Sequence, residues 1–356
     1  MKRLILSLLA LLPLLATAKG DKDTRLIIIT IDGLRWQEVF TGADAELIGN
    51  AKAVRDTTEL RKAYWRATPE ERREVLMPFT WKVIARQGTL VGNANKGSQM
   101  RVANKTNISY PGYCEMMTGM VDESIKENDA VNNMHRNVLE AANADPRYKG
   151  KVMMYGSWIP TRYAIHNEPA GLPASVGFEP NISKKQTPLL KLVDRMQEGM
   201  PHYWRSERFD AFTYAYALEA LKHDHPKVMW ISFGDIDEWA HSRNYTLYID
   251  ATNYTDAFIR DIVETCEADR FYRGKTTYLI TCDHGRGSGD GWAHHGSSSE
   301  GSERTWLMLY GKGISPKGET TNNGPFYTKQ VAATIADILG IDFTPDDGNK
   351  LAPIVP

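Results

Sequence analysis

The stretch Thr277-Tyr278-Leu279-Ile280-Thr281-Cys282-Asp283-His284 decides the fold. Its first six residues form an apolar, β-rich run that reads as a buried strand. An acid and an imidazole follow at once. Open α/β sheets bind ligands beyond the carboxyl ends of their strands, so Asp283 and His284 stand where such a sheet would present them. Both side chains are ligands of the kind that hold zinc.

Working outward, similar runs alternate with helical patterns. Residues 26–31, 152–155, 228–233, 278–282 and 306–310 read as strands, with a further one around Leu90 after a helix over 77–87. Helical periodicity covers 211–222, 247–269 and 329–339. The alternation predicts an α/β fold with a mostly parallel central sheet and helices on both faces. Residues 159–201 are richer in Pro, Gly and polar side chains and are expected to form loops or a small loop-rich cap within one domain spanning 19–356.

The 356 residues, 42% hydrophobic and 24% charged, are enough for one large core. A net charge of −1 provides no electrostatic footprint for nucleic acid or an anionic membrane. Lys2 and Arg3 precede an apolar run over 4–15, and Ala16-Thr17-Ala18 supplies a small-x-small cleavage pattern. Residues 1–18 are therefore read as a signal peptide, with the mature chain periplasmic or secreted and carrying no membrane anchor. Only Cys114, Cys266 and Cys282 are present, an odd count without framework spacing, so no disulfide scaffold is expected.

Other chemistry-bearing residues occupy matching places. Asp32 closes the strand 26–31 and precedes Gly33, a pair that also suits a plain turn. Asp237 and His241 follow the strand 228–233 and, four apart on a helix, share a face. Asp235 fits that face poorly and better suits a helix N-cap. His294 and His295 lie in a Gly- and Ser-rich loop, and His295, followed by Gly296, is the preferred ligand of the two. His223-Asp224-His225 looks metal-like but precedes its strand, at the end of the sheet away from chemistry. Ser109, just before Tyr110-Pro111, is the candidate nucleophile at a helix start, where amides would face an anion.

Taken together, Asp32, Ser109, Asp237, His241, Asp283, His284 and His295 resemble the alkaline phosphatase superfamily, in the style of its nucleotide pyrophosphatase/phosphodiesterase and related phosphatase branches. The family pattern T-x-P-N followed by a T-G turn reads here as Ser109-Tyr110-Pro111-Gly112, with Thr118-Gly119 after it. The resemblance implies that Asp32, Asp283 and His284 hold one zinc, bridged through Ser109, and that Asp237, His241 and His295 hold the other. Other divalent metals would suit the same ligands. It further implies an exported phosphoric ester hydrolase, a phosphodiesterase or phosphomonoesterase, that acts on a small-molecule phosphate ester through a phosphoserine intermediate. The Asn of the diesterase pattern is Gly112 here, which leaves Asn107 or Arg286 as candidates to hold the phosphate. The related sulfatases carry C/S-x-P-x-R, and Tyr113 stands where that Arg belongs. A sulfatase is the alternative reading, and a catalytically silent metal-bearing binding protein is another.

Overall fold

In the computed structural model, residues 24–165 and 171–354 are described. The signal-peptide expectation for residues 1–18 lies outside them. Eleven strands are found among the described residues: β1 Arg25–Ile31, β2 Thr89–Val91, β3 Met100–Arg101, β4 Val152–Gly156, β5 Ala174–Val176, β6 Val228–Phe233, β7 Thr276–Thr281, β8 Arg304–Thr305, β9 Leu307–Gly311, β10 Gly318–Glu319 and β11 Phe326–Tyr327. Eight of them form one sheet in the order β10-β2-β9-β7-β1-β6-β4-β5, and β11-β3-β8 form a small second sheet.

β1 sits at the centre, parallel to β6 on one side and β7 on the other. Every residue of β1, β6 and β7 is buried, which is why these strands read as continuous apolar runs and not as alternating ones. The pleat divides β1 between two cores. Ile27, Ile29 and Ile31 pack on one face, while Leu26 and Ile28 pack on the other. Helices Asp210–His223 and Tyr245–Ala268 cover the first face through Tyr216, Ala220, Ile249 and Ile259. Helices Ser109–Thr118 and Gln330–Leu339 cover the second through Tyr113, Met117, Ile335 and Leu339. Each fully buried aliphatic side chain contributes about 2 kcal/mol by its removal from water.

The sheet is mostly parallel, as expected. β9 alone runs against its neighbours, antiparallel to both β7 and β2. The cause is local: the segment between β7 and β9 carries His284, Arg286, His294 and His295 and stays at the carboxyl end of β7. The chain then re-enters the sheet from that same end, so its next long strand must reverse.

Residues 159–201 contain the short helix Thr161–Ala164, the edge strand β5 paired to β4, and the helix Pro188–Gly199. The helix expected over 77–87 is irregular. Residues Thr80–Ile84 form a π-type turn ahead of Ala85–Gln87. The Asp256 carboxylate accepts from the amides of Phe79 and Thr80, which removes those groups from the start of a regular helix.

Candidate metal centre

The register of the central strands brings three acids to one place. The Asp32 amide donates to the Phe233 carbonyl, 2.9 Å away, so the ends of β1 and β6 are level. The Gly33 amide donates to Asp283 Oδ1 at 3.1 Å and ties in the end of β7. Gly33 has φ +59°, and a Cβ there would fall 2.2 Å from Asp237 Oδ1. The Asp-Gly pair is therefore both a turn and the close approach that lets Asp237 reach the crevice.

The helix Ser109–Thr118 presents Ser109 as its first residue. The hydroxyl does not cap that helix. It lies 3.1 Å from His284 Nε2 and 3.4 Å from Asp32 Oδ1. One of the expected anion-facing amides, Tyr110 N, is taken by Asn128 Oδ1 at 2.9 Å. Helix and strand end are pressed together at Gly112, where a Cβ would stand 2.6 Å from the Asp283 carbonyl oxygen.

The histidine tautomers follow from their outer hydrogen bonds. His284 Nδ1 donates to the Gly285 carbonyl at 2.9 Å, and His295 Nδ1 donates to the Asn107 carbonyl at 3.1 Å. Both Nε2 atoms are thereby left as acceptors facing inward, the arrangement that metal-ligating histidines use. His241 Nε2 lies 2.8 Å from Asp237 Oδ2 and 3.0 Å from His295 Nε2. The His284 and His295 rings stack with centroids 4.1 Å apart. The structure thus brings Asp32, Ser109, Asp237, His241, Asp283, His284 and His295 into one cluster. His294 points away, its Nε2 lying 3.0 Å from the Arg243 guanidinium.

The electrostatics of the cluster fit cations. Burial, reinforced by Asp237, pushes the Asp32 carboxyl up to about 7. Burial, with Asp32 and Asp237 nearby, holds Asp283 well above the carboxylate range. Burial lowers His284 to about 4, and burial beside His284 lowers His295 to about 3, so both imidazoles are neutral at physiological pH. Asp283 Oδ2 is buried and accepts no hydrogen bond. Oxygen and imidazole atoms of Asp32, Asp283 and His284 lie within 4.8 Å of one another, as do those of Asp237, His284 and His295. Two carboxylates and an imidazole, or a carboxylate and two imidazoles, are donor sets suited to zinc.

Of the two residues expected to hold substrate, Asn107 supplies its carbonyl to His295 and to Gly296 N, and its side chain donates to Ser302 Oγ at 3.1 Å. Arg286 is buried, with Nη1 on Asp237 Oδ1 and Nη2 on the Ala293 carbonyl. Despite its burial, Asp237 is held well below the usual carboxylate range by Arg286 and His241. Sequence reasoning missed the role of Tyr113, whose hydroxyl donates to Asp32 Oδ2 at 3.0 Å. Its position four residues after Ser109, on the same helix face, was the available signal. Asp235 is not a cap of its own helix. It accepts from the Asp210 amide and from Tyr254, because Gly234 already takes the cap position.

An open cleft of about 790 Å³ leads to His295 and is walled by Trp36, Gln37, Ser288, Glu300 and Arg304 among others.

Residues 206–343 match the model of the Metalloenzyme superfamily. No protein of curated function matches the sequence. Among solved structures the chain is similar to the phosphonate monoester hydrolase of Agrobacterium radiobacter, with a TM-score of 0.59 and 14% identity over 94% of this chain and 76% of that one. It is also similar to a 2-O GAG sulfatase, with a TM-score of 0.57 and 11% identity over 93% and 73% of the two chains. A protein in the alkaline phosphatase superfamily from Vibrio parahaemolyticus matches with a TM-score of 0.51 and 12% identity over 93% and 70%. At these identities the likeness is one of fold.

Proposed function

From a chain with the alkaline phosphatase superfamily fold and a metalloenzyme-superfamily segment carrying five of its candidate ligands, we propose a metal-dependent hydrolase in which Ser109 attacks a phosphate ester. The observation that carries this reading is the Ser109 hydroxyl, 3.1 Å from the acceptor Nε2 of His284 and 3.4 Å from Asp32 Oδ1 at the centre of the ligand cluster. Asp32, Asp283 and His284 would hold one divalent ion, and Asp237, His241 and His295 a second, with zinc the best match to their donors. Bound there, two such ions supply a lowered serine pKa and neutralisation of the charge on the phosphoryl oxygens and the leaving oxygen.

The protein's own residues do the rest. The helix start fixes Ser109 in the crevice, and the proton of its hydroxyl has an acceptor in Asp32 Oδ1, 3.4 Å away, while the one free nitrogen of His284 is kept for the ion. The Ser109 Oγ–P bond forms as the ester P–O bond breaks, and the departing alkoxide takes up a proton. Water then forms the next P–O bond and gives up a proton, the serine–phosphorus bond breaks with Ser109 Oγ regaining a proton, and inorganic phosphate or a monoester leaves. The cleft beside Trp36 and Glu300 receives the leaving group.

Sulfate ester hydrolysis is the second reading, favoured by the similarity to a sulfatase. Against it, Tyr113 fills the position of the sulfatase arginine and is engaged by Asp32. We also propose that the protein works outside the cytoplasm, on the strength of the export pattern in residues 1–18; fractionation of cells producing the full chain tests this.

The decisive experiment offers the zinc-loaded protein p-nitrophenyl phosphate, bis-p-nitrophenyl phosphate and p-nitrophenyl sulfate. Faster cleavage of a phosphate ester, with a phosphorylated Ser109 peptide after acid quench and no turnover in Ser109→Ala, supports the proposal. Sulfate cleavage alone, or undiminished turnover in Ser109→Ala, would overturn it.

A further inference from the structure

A second acidic cluster lies behind the candidate metal centre. Carboxylate oxygens of Glu207, Asp210 and Asp235 fall within 4.8 Å of one another, and all three residues are buried. Asp210 and Asp235 are bound into the fold. Asp210 Oδ1 accepts from Ser157 Oγ at 2.6 Å and from the Gly234 amide at 2.8 Å, and its Oδ2 accepts from the Asp235 amide at 3.1 Å. Asp235 Oδ1 accepts from the Asp210 amide at 2.9 Å, and its Oδ2 from the Tyr254 hydroxyl at 2.6 Å. These bonds explain the two aspartates as ties between the starts of helices Asp210–His223 and Asp235–His241.

They do not explain Glu207. Its Oε1 is buried and has no hydrogen-bond partner, although only 5% of the residue is exposed. The carboxylate lies over Gly234, where a Cβ would come within 2.0 Å of Oε1 and 2.6 Å of the carboxyl carbon. Gly234 therefore leaves room for this group and for no side chain of its own. The adjacent guanidinium, Arg208, is turned elsewhere, to Thr213 Oγ1, Ser175 and the Glu179 carbonyl. A buried carboxylate oxygen without a partner, set within 4.8 Å of two further carboxylates, is strongly unfavourable unless a cation or a shared proton accompanies it.

We propose that Glu207, Asp210 and Asp235 form a binding site for a hard divalent cation, calcium or magnesium, separate from the zinc-type centre. The donor set is oxygen only, which suits these ions and contrasts with the imidazole-bearing sets around Ser109. The site would join the loop at Glu207 to the starts of two helices. One of them carries Asp237 and His241, so the cation would hold that ligand pair in place from behind. The inference does not depend on the catalytic reading, because none of the three residues belongs to the Ser109 cluster.

The test uses the full chain saturated with zinc, then equilibrated with calcium or magnesium and freed of excess ion. Elemental analysis is expected to find one equivalent of the hard cation in the wild type and none in Glu207→Gln, with equal zinc in both. Calcium or magnesium is expected to raise the melting temperature of the wild type and leave that of Glu207→Gln unchanged. Absence of the extra equivalent in wild-type protein at millimolar cation would overturn the site and assign a shared proton in its place. An equivalent retained in Glu207→Gln would overturn the assignment of its ligands. The Asp210 and Asp235 variants are not needed, since both residues also tie the fold together.

Discussion

The Nε2 atoms of His241 and His295 face each other across 3.0 Å, although the two residues come from different elements, a helix after β6 and a loop after β7. The Nδ1 hydrogen bond of His295 leaves its Nε2 without a proton, so the pair can be bridged by one proton or by one metal ion. Asp237 Oδ2, 2.8 Å from His241 Nε2, adds a third donor atom beside the pair. We expect two zinc equivalents in the wild type and about one in His241→Ala or His295→Ala, read by elemental analysis after dialysis. His294→Ala should keep both, since His294 faces Arg243. Loss of an equivalent in His294→Ala instead would exchange the roles of the two neighbours.

Metal uptake should depend on pH with a definite sign. Burial places Asp32 at about 7 in the metal-free protein, and Asp237 raises the pKa of His241. Below pH 7 a cation must displace the Asp32 proton, whereas His284 and His295, at about 4 and 3, have none to lose on their ligating nitrogens. Zinc affinity is therefore expected to rise with pH through 7 with proton release on binding, and Asp283, which burial also holds well above the carboxylate range, adds to that release. Calorimetry in buffers of different ionisation enthalpy checks this, and pH-independent affinity between 5 and 7 would contradict it.

Much of this architecture was legible because the deciding strands are buried on both faces. Residues 228–233 read as an apolar run and form β6 over the same span, and Asp32 and Asp283 stand next to strand ends where the pattern stops. What the sequence did not disclose depends on tertiary contact. β5 and β10 are too short to show a period, and β9 reverses only because the loop before it stays at the crevice. The Tyr113 hydroxyl on Asp32 and the unpartnered Glu207 carry no local signature. Each is defined by a partner, or a missing one, contributed by a distant segment.

Arg286 was expected as a phosphate-binding candidate, and its contacts lead to a different measurement. Its guanidinium is buried on Asp237 Oδ1 and the Ala293 carbonyl, so removing it leaves a buried carboxylate oxygen without a counter-charge. Breaking such a pair from one side costs about 3–5 kcal/mol. Arg286→Met should lower unfolding stability by about 3 kcal/mol in urea titrations of the metal-free protein. A residue that only held substrate would leave that stability unchanged and raise KM.

Gly112 gives the sharpest structural contrast with the diesterase pattern, which has Asn at this place. A Cβ at residue 112 would lie 2.6 Å from the Asp283 carbonyl oxygen, which is backbone and cannot rotate aside. Installing the pattern's residue, Gly112→Asn, must therefore move the helix bearing Ser109 away from the strand end bearing Asp283 and His284. Overpacking of this kind costs about 1–3 kcal/mol and displaces the nucleophile from its ligands. On a phosphate diester we expect kcat to fall at least tenfold in Gly112→Asn, with a lowered melting temperature. Gly112→Ala should show a smaller loss of the same sign. If Gly112→Asn instead gained diesterase activity at unchanged stability, the helix would have room to spare at Asp283, and the close packing that sets Ser109 against His284 would not be the constraint that excludes the side chain.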